Sequence, residues 1–181
     1  MIDTYVPIAD AAEYKIYFPV AGSLYNSNVH TERLAELLIN AELQKRTVLI
    51  QDPILTQVAQ QRAQYMADHN FFMTQHVDLN GIGPNTYVRI AGFKLPNWYS
   101  DHPDDPQKAD KRANNIESLA AGQSTADGAF HALLGSLGHR KHVLGEDDFY
   151  VRQTKYGIGF VAKPGTDYGY YWVVLIAEED L

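Results

Sequence analysis

The sequence predicts an α+β sandwich in which helices cover both faces of a sheet. Three observations carry this. Stretches with helical apolar spacing fill the chain from Thr31 to Gly138, whereas two runs rich in aromatic and β-branched residues close it. Helices first and strands last is the α+β order. The second closing run, Tyr168 to Ala177, is apolar in both alternating sets, with Tyr168, Tyr170, Trp172 and Val174 set against Tyr171, Val173 and Leu175. A strand of that kind is buried on both sides, so a layer must lie above it and another below. Finally, 181 residues at 45% hydrophobic and 20% charged, without cysteine, can bury one core that needs no disulfide.

The elements follow in order. Residues 1–30 hold Pro7 and Pro19 with aromatics between them and no helical period. They read as an extended arm against the domain or as the end of a linker, and the domain proper runs from 31 to 181. Thr31 is placed to cap a first helix that carries Leu34, Leu37, Leu38 and Ala41. The second helix has a clearer start: Asp52 caps, Pro53 suits the first helical position, and Leu55, Val58, Ala59, Ala63 and Met66 form the buried stripe. It ends near His69-Asn70 and delivers Phe71, Phe72 and His76 just beyond.

Gly81, Gly83 and Pro84 mark a turn, followed by a short helix to Ala91 closed by Gly92. From Pro96 to Arg112 the chain is polar and proline-rich, a surface loop. Trp98-Tyr99 with Asp101, Asp104 and Asp105 could rim a ligand there, although a solvated loop is the plainer reading. Ser124 with Asp127 resembles a capping box, opening a third long helix through Phe130, Leu133, Leu134 and Leu137 that stops at Gly138. Strands then run over Tyr156–Lys163 and Tyr168–Ala177, separated by Pro164-Gly165-Thr166-Asp167.

Charge and motifs exclude several functions. The net charge of -7, with basic residues at most in pairs as at Lys111-Arg112 and Arg140-Lys141, argues against nucleic acid. No apolar run approaches the roughly 20 residues that span a bilayer. Lys15 and Pro19 interrupt the only stretch resembling an export signal, so any such signal is expected to have been removed. There is no His-Glu-x-x-His, and Gly135-Ser136-Leu137-Gly138 lacks the spacing of a serine nucleophile elbow. Asp78-Leu79-Asn80-Gly81 lacks the later ligands of a calcium loop and reads as a turn.

Three distant residues remain as candidates: His76, Glu117 and His139. If the fold brings them together, two imidazoles and a carboxylate form a metal site or an acid/base site. If it does not, the histidines are partly buried groups bonded to backbone, and Glu117 is a carboxylate at a helix start. His142, three residues after His139, is either a third ligand or a solvated surface histidine, the latter being the simpler account.

Five segments in order carry a family resemblance: Asn40-Ala41-Glu42, Ala59 to His76, Glu117-Ser118-Leu119-Ala120-Ala121-Gly122, Leu133 to Leu144, and Tyr156-Gly157-Ile158-Gly159. They resemble the Asn-x-x-Arg helix, the second helix ending in Phe-Ser-His, the Glu-Asn-Ile-Ala-x-Gly motif, the Trp-x-x-Ser-x-Gly-His-Arg-x-Asn-Ile-Leu motif and the Ile-Gly-Val-Gly strand of the CAP superfamily. Within that superfamily (cysteine-rich secretory, antigen 5 and pathogenesis-related proteins) the likeness is to the cysteine-free bacterial branch, the SCP-like extracellular domains. It departs at Leu133 for the tryptophan, at Ser118 and His142 for two asparagines, and at Ser136 for a second glutamate.

The resemblance implies a three-layer α-β-α sandwich with a small, mainly antiparallel central sheet, exported to the exterior or cell envelope. It implies a cleft holding His76, His139 and Glu117. The two histidines would be ligands of a divalent metal such as zinc, and Glu117 a catalytic group if the protein is an enzyme. The expected role is binding a small molecule, lipid or envelope component. Its alternative is a metal-dependent hydrolase that uses a zinc-bound water.

Overall fold

A computed structural model describes residues 5–6, 18–19, 28–99 and 111–180. The expectations for the remainder of the N-terminal thirty and for residues 100–110, including Asp101, Asp104 and Asp105, lie outside the described residues. Two short strands, β1 (Tyr5–Val6) and β2 (Phe18–Pro19), pair antiparallel. The main sheet is formed by β3 (Ile50–Gln51), β4 (Glu117–Ala121), β5 (Lys155–Ala162) and β6 (Tyr170–Ala177). Its order is β3-β5-β6-β4, antiparallel except where the two residues of β3 run parallel to β5. The helices are α1 (Val29–Ile39), α2 (Pro53–Asp68), α3 (Pro84–Ile90), α4 (Ala126–Leu134) and α5 (Leu137–Leu144).

Both faces of the sheet are covered, as the two-sided apolar pattern of β6 requires. Tyr171, Val173, Leu175 and Ala177 pack with Leu55, Val58, Ala59, Ala63 and Met66 of α2. Trp172, Val174 and Ile176 pack on the other side with Leu34 and Leu38 of α1 and Phe130 and Leu133 of α4. Helix α2 lies close on β5 because Gly157 and Gly159 face it. A Cβ at either would come within 2.2 Å of the helix backbone at Leu55–Thr56 or at Ala59. The Gly-x-Gly strand is therefore a docking groove into which the helix sets its backbone.

Asp52 caps α2 as expected, accepting from the Leu55 amide at 2.9 Å, with Pro53 in the first position. Helix α3 and its closure at Gly92, φ 97°, also match. Other boundaries differ. Asn28, not Thr31, is the first cap. Its side chain accepts from the Thr31 amide, and Thr31 Oγ1 completes the reciprocal bond from the third helical position. Asn40 ends α1 rather than continuing an Asn-x-x-Arg helix. Thr125, not Ser124, caps α4 by accepting from Gly128, and Asp127 pairs with Arg33 instead.

The expected single long helix is two. Gly135-Ser136 interrupts it, α5 begins at Leu137, and Gly138 lies inside α5 while Gly145 in the left-handed region ends it. Glu117 opens a strand, not a helix, so β4, like the short β3, sits mid-chain between helices. Leu95, Pro96 and Tyr99 are buried, which withdraws the start of the expected surface loop into the core; Tyr99 Oη accepts from Gln153 Nε2 at 3.2 Å.

Candidate functional site

The site is built on β4. Asn114 fixes the entry to that strand: its Oδ1 accepts from the Ile116 and Glu117 amides, and its Nδ2 donates to the Glu117 carbonyl. Register with β6, Glu117 opposite Leu175 and Ser118 opposite Val174, then sends the two side chains to opposite faces.

On the α2 face, Glu117 is buried and meets Arg62. Arg62 Nε donates to one carboxylate oxygen, and Arg62 Nη2 donates to the other at 3.0 Å. The same Nη2 donates to the His76 carbonyl at 2.9 Å, which holds His76 in the left-handed region at φ 59°. A non-glycine residue adopts that conformation only where its surroundings impose it. The ring follows the backbone, and His76 Nδ1 bonds Glu117 Oε2 at 3.0 Å. Arg62 also lies 4.8 Å from the Tyr87 ring centroid, and Tyr87 Oη donates to Asp78 at 2.7 Å. Asp78 accepts besides from the Asn80 and Ile82 amides, so the 78–82 segment is a structural turn.

Burial opposes charge on Glu117, yet Arg62 above all, together with the His76 bond, holds its carboxyl below the usual range. The Arg62 guanidinium is held charged in the same way: burial works against it, and Glu117 more than compensates. The pair is therefore an ionic bridge at neutral pH.

His139, half-buried on α5, faces His76 with ring centroids 5.9 Å apart and planes at 78°. Burial, and after it the neighbouring His76, lowers the His139 pKa, which keeps this ring neutral. No described residue bonds the Nε2 of His76 or either ring nitrogen of His139. The three sequence candidates thus meet, but Glu117 does not line an open cleft. Its side chain is fully buried behind His76, so it acts on the site through that ring.

His142 is not a surface residue. It is 3% exposed on the opposite side of the strand, where its Nδ1 accepts from Ser118 Oγ at 2.7 Å and its Nε2 donates to the Ile176 carbonyl at 3.3 Å. Burial first, and then the Arg46 cation, push its pKa down to about 3. It cannot be a third ligand. Ser136 caps α5 without a side-chain bond into the helix, and no described bond joins it to either cleft histidine.

A zinc centre asks for three protein ligands when catalytic and four when structural. Among the described residues no group of three or more His, Asp or Glu is placed to hold an ion. Glu117, whose carboxylate bonds the His76 ring, already has both oxygens engaged by Arg62 and His76. The residues present do not fit a resident zinc ion; two imidazoles supply only part of a shell.

Arg62 is the functional residue that sequence reasoning missed. It lies four residues after Val58 and four before Met66, inside the buried stripe of α2. A charge there needs a buried partner, and that periodicity was the available signal.

No protein-family model matches the sequence, and no curated protein matches it significantly. Solved structures do. An extracellular protein containing an SCP domain from Bacillus anthracis aligns with TM-score 0.58 and 19% identity over 83% of this chain. The present chain spans 40% of that protein. An outer surface protein of Borrelia burgdorferi aligns with TM-score 0.55 and 16% identity, covering 99% of this chain and all of the other. At these identities the likeness is one of fold, and the fold is SCP-like, an α+β sandwich.

Proposed function

We propose that this SCP-like domain works at the cell exterior or envelope as a ligand-binding module, with the paired imidazoles of His76 and His139 as its contact point. One observation carries the reading. The buried carboxylate is spent on Arg62 and on orienting His76, which leaves two facing rings with uncommitted nitrogens and, among the described residues, no activated nucleophile bonded to them. Rapid hydrolysis needs a nucleophile, a positioned acid/base and charge stabilisation. Here the carboxylate has no exposed oxygen with which to reach a substrate or a water.

The ligand class consistent with this site is a small molecule, lipid or envelope component that offers its own donors to the imidazoles. A divalent ion would be held weakly, because protein groups fill only part of its shell. That the two similar structures are an extracellular and an outer surface protein is in keeping with an exported module. Among the described residues no helix is long and apolar enough to cross a membrane.

One observation favours the hydrolase alternative: a carboxylate on the far nitrogen of an imidazole is how proteins orient a metal-bound histidine. Both readings are tested together by titrating zinc alone, peptidoglycan fragments and lipid vesicles while following the histidine ring resonances. An activity screen over peptide, ester and peptidoglycan substrates with zinc supplied runs in parallel. Saturable binding that shifts His76 and His139 without turnover supports the module. Turnover lost in both His76→Ala and Glu117→Gln replaces it with the hydrolase.

A further inference from the structure

Two positions where the sequence departs from the SCP-like motifs, Ser118 and His142, touch each other. Ser118 follows Glu117 on β4, and the alternation of the strand turns it to the opposite face. His142 lies three residues after His139 on α5. The 2.7 Å bond between Ser118 Oγ and His142 Nδ1 therefore ties the strand that carries Glu117 to the helix that carries His139. The bonding fixes the tautomer. A carbonyl only accepts, so His142 Nε2 carries the proton that it gives to Ile176 of β6, and Nδ1 is the acceptor for the serine hydroxyl.

We infer that Ser118 and His142 are a positioning pair that sets the angle of α5 on the sheet and so places His139 opposite His76. The helix needs such a device. Only His142, Val143 and Leu144 of its eight residues are buried, and apolar contact is not directional. A bond with both partners buried specifies one orientation, because any rotation of α5 would leave two polar groups unpaired. Arg46 secures the end of the same helix by donating to the His142 and Val143 carbonyls at 2.6 and 2.9 Å. The charged and titratable groups that act on His142 are Arg46, Tyr150, whose ring centroid is 5.3 Å away, and, from across the strand and electrostatically, His139 and His76.

This deepens the reading of the His76–His139 cleft as the binding site and rests on that reading for its consequence, though not for its geometry. The experiment follows the ring-to-ring nuclear Overhauser contact between His76 and His139, with zinc alone as a binding probe, in Ser118→Ala, Ser118→Thr, Ser118→Asn and the S118N/H142N double variant. In Ser118→Ala the ring contact should be lost, and any zinc affinity should fall roughly tenfold, the order seen when an orienting partner is removed. Ser118→Thr keeps the hydroxyl and should behave as the parent. The double variant, which can form an amide–amide bond, should recover the ring contact that Ser118→Asn alone loses. Should Ser118→Ala not fold, the comparison of Ser118→Asn with the double variant decides. An unchanged ring contact in folded Ser118→Ala, or a double variant no better than Ser118→Asn, would overturn the pair. Failure of zinc, peptidoglycan fragments and lipid vesicles alike to shift the His76 and His139 rings of the parent would count against the proposed function alone, because the ring contact is read without ligand.

Discussion

At the scale of single residues, the molecule puts two charges and a neutral imidazole where solvent cannot reach. Arg62 and Glu117 compensate each other, so removing one strands the other. Arg62→Met should destabilise by about 3–5 kcal/mol in urea unfolding, the usual cost of breaking a buried pair from one side. Arg62→Lys should rescue little, because an ammonium cannot bridge both carboxylate oxygens and the His76 carbonyl with a fixed fork. A loss below about 1 kcal/mol for Arg62→Met would mean that the bridge is exposed in solution.

His142 gives the pH dependence its direction. Its folded pKa, about 3, lies below the ordinary histidine value of about 6.5. The unfolded chain therefore binds the extra proton between those limits, and stability present above pH 6.5 drains as pH falls towards 3. A slope on the order of 1 kcal/mol per pH unit is expected from about pH 6 downward, to which the lowered His139 pKa adds. Glu117, with its lowered pKa, adds stability that is fully present above the ordinary carboxylate range and is lost only as pH falls below that range through its folded value. Stability curves from pH 7 to 4.5 should flatten in His142→Asn. A slope identical to that of the parent would show the imidazole to be accessible.

At the scale of elements, the closeness of α2 to β5 rests on two absent side chains. Gly159→Ala puts a methyl into the Ala59 carbonyl and should cost about 3 kcal/mol or more, because backbone and not a flexible side chain is in the way. Gly138→Ala, inside α5 with nothing within 4 Å of the new carbon, should instead raise stability by about 0.5–1 kcal/mol. Thermal melts of the two variants should move in opposite directions. The end of α5 has its own lock: Arg46 Nε, Nη1 and Nη2 reach the carbonyls of Tyr150, Val143 and His142. Arg46→Ala should cost at least about 2 kcal/mol, since carbonyls at a helix end lose a charged donor that water cannot replace in the core.

Elements also show how far a sequence can be read. Helix α2 was legible to the residue because Asp52, Pro53 and a clean apolar stripe agree. Strand β4 was not: Glu-Ser-Leu-Ala-Ala has neither β-branched residues nor alternation, and it becomes a strand because β6 offers it an edge. The split between α4 and α5 was hidden by apolar spacing that continues across Gly135-Ser136.

At the scale of the whole molecule, the two cores lie on opposite faces of the sheet, and β6 contributes to both. Its amides should be the slowest to exchange, opening only with global unfolding, while α5 opens in advance of it because so little of it is buried. Hydrogen-exchange rates at increasing denaturant would show β6 merging last with the global transition. Earlier exchange of β6 than of α5 would contradict a core organised on that strand.

The sequence by itself determined the layers and the two histidines. A strand apolar on both faces demands covering helices, and motifs in fixed order carry His76 and His139 whatever their surroundings. What only the tertiary structure decided was the company these residues keep. Arg62, 55 residues before Glu117, turns that carboxylate from an open acid/base group into a buried anchor for His76. His142, which local pattern places on a surface, is drawn inside by a serine 24 residues away. Partnership between buried polar groups depends on distances set by packing across the chain, and no local periodicity records them.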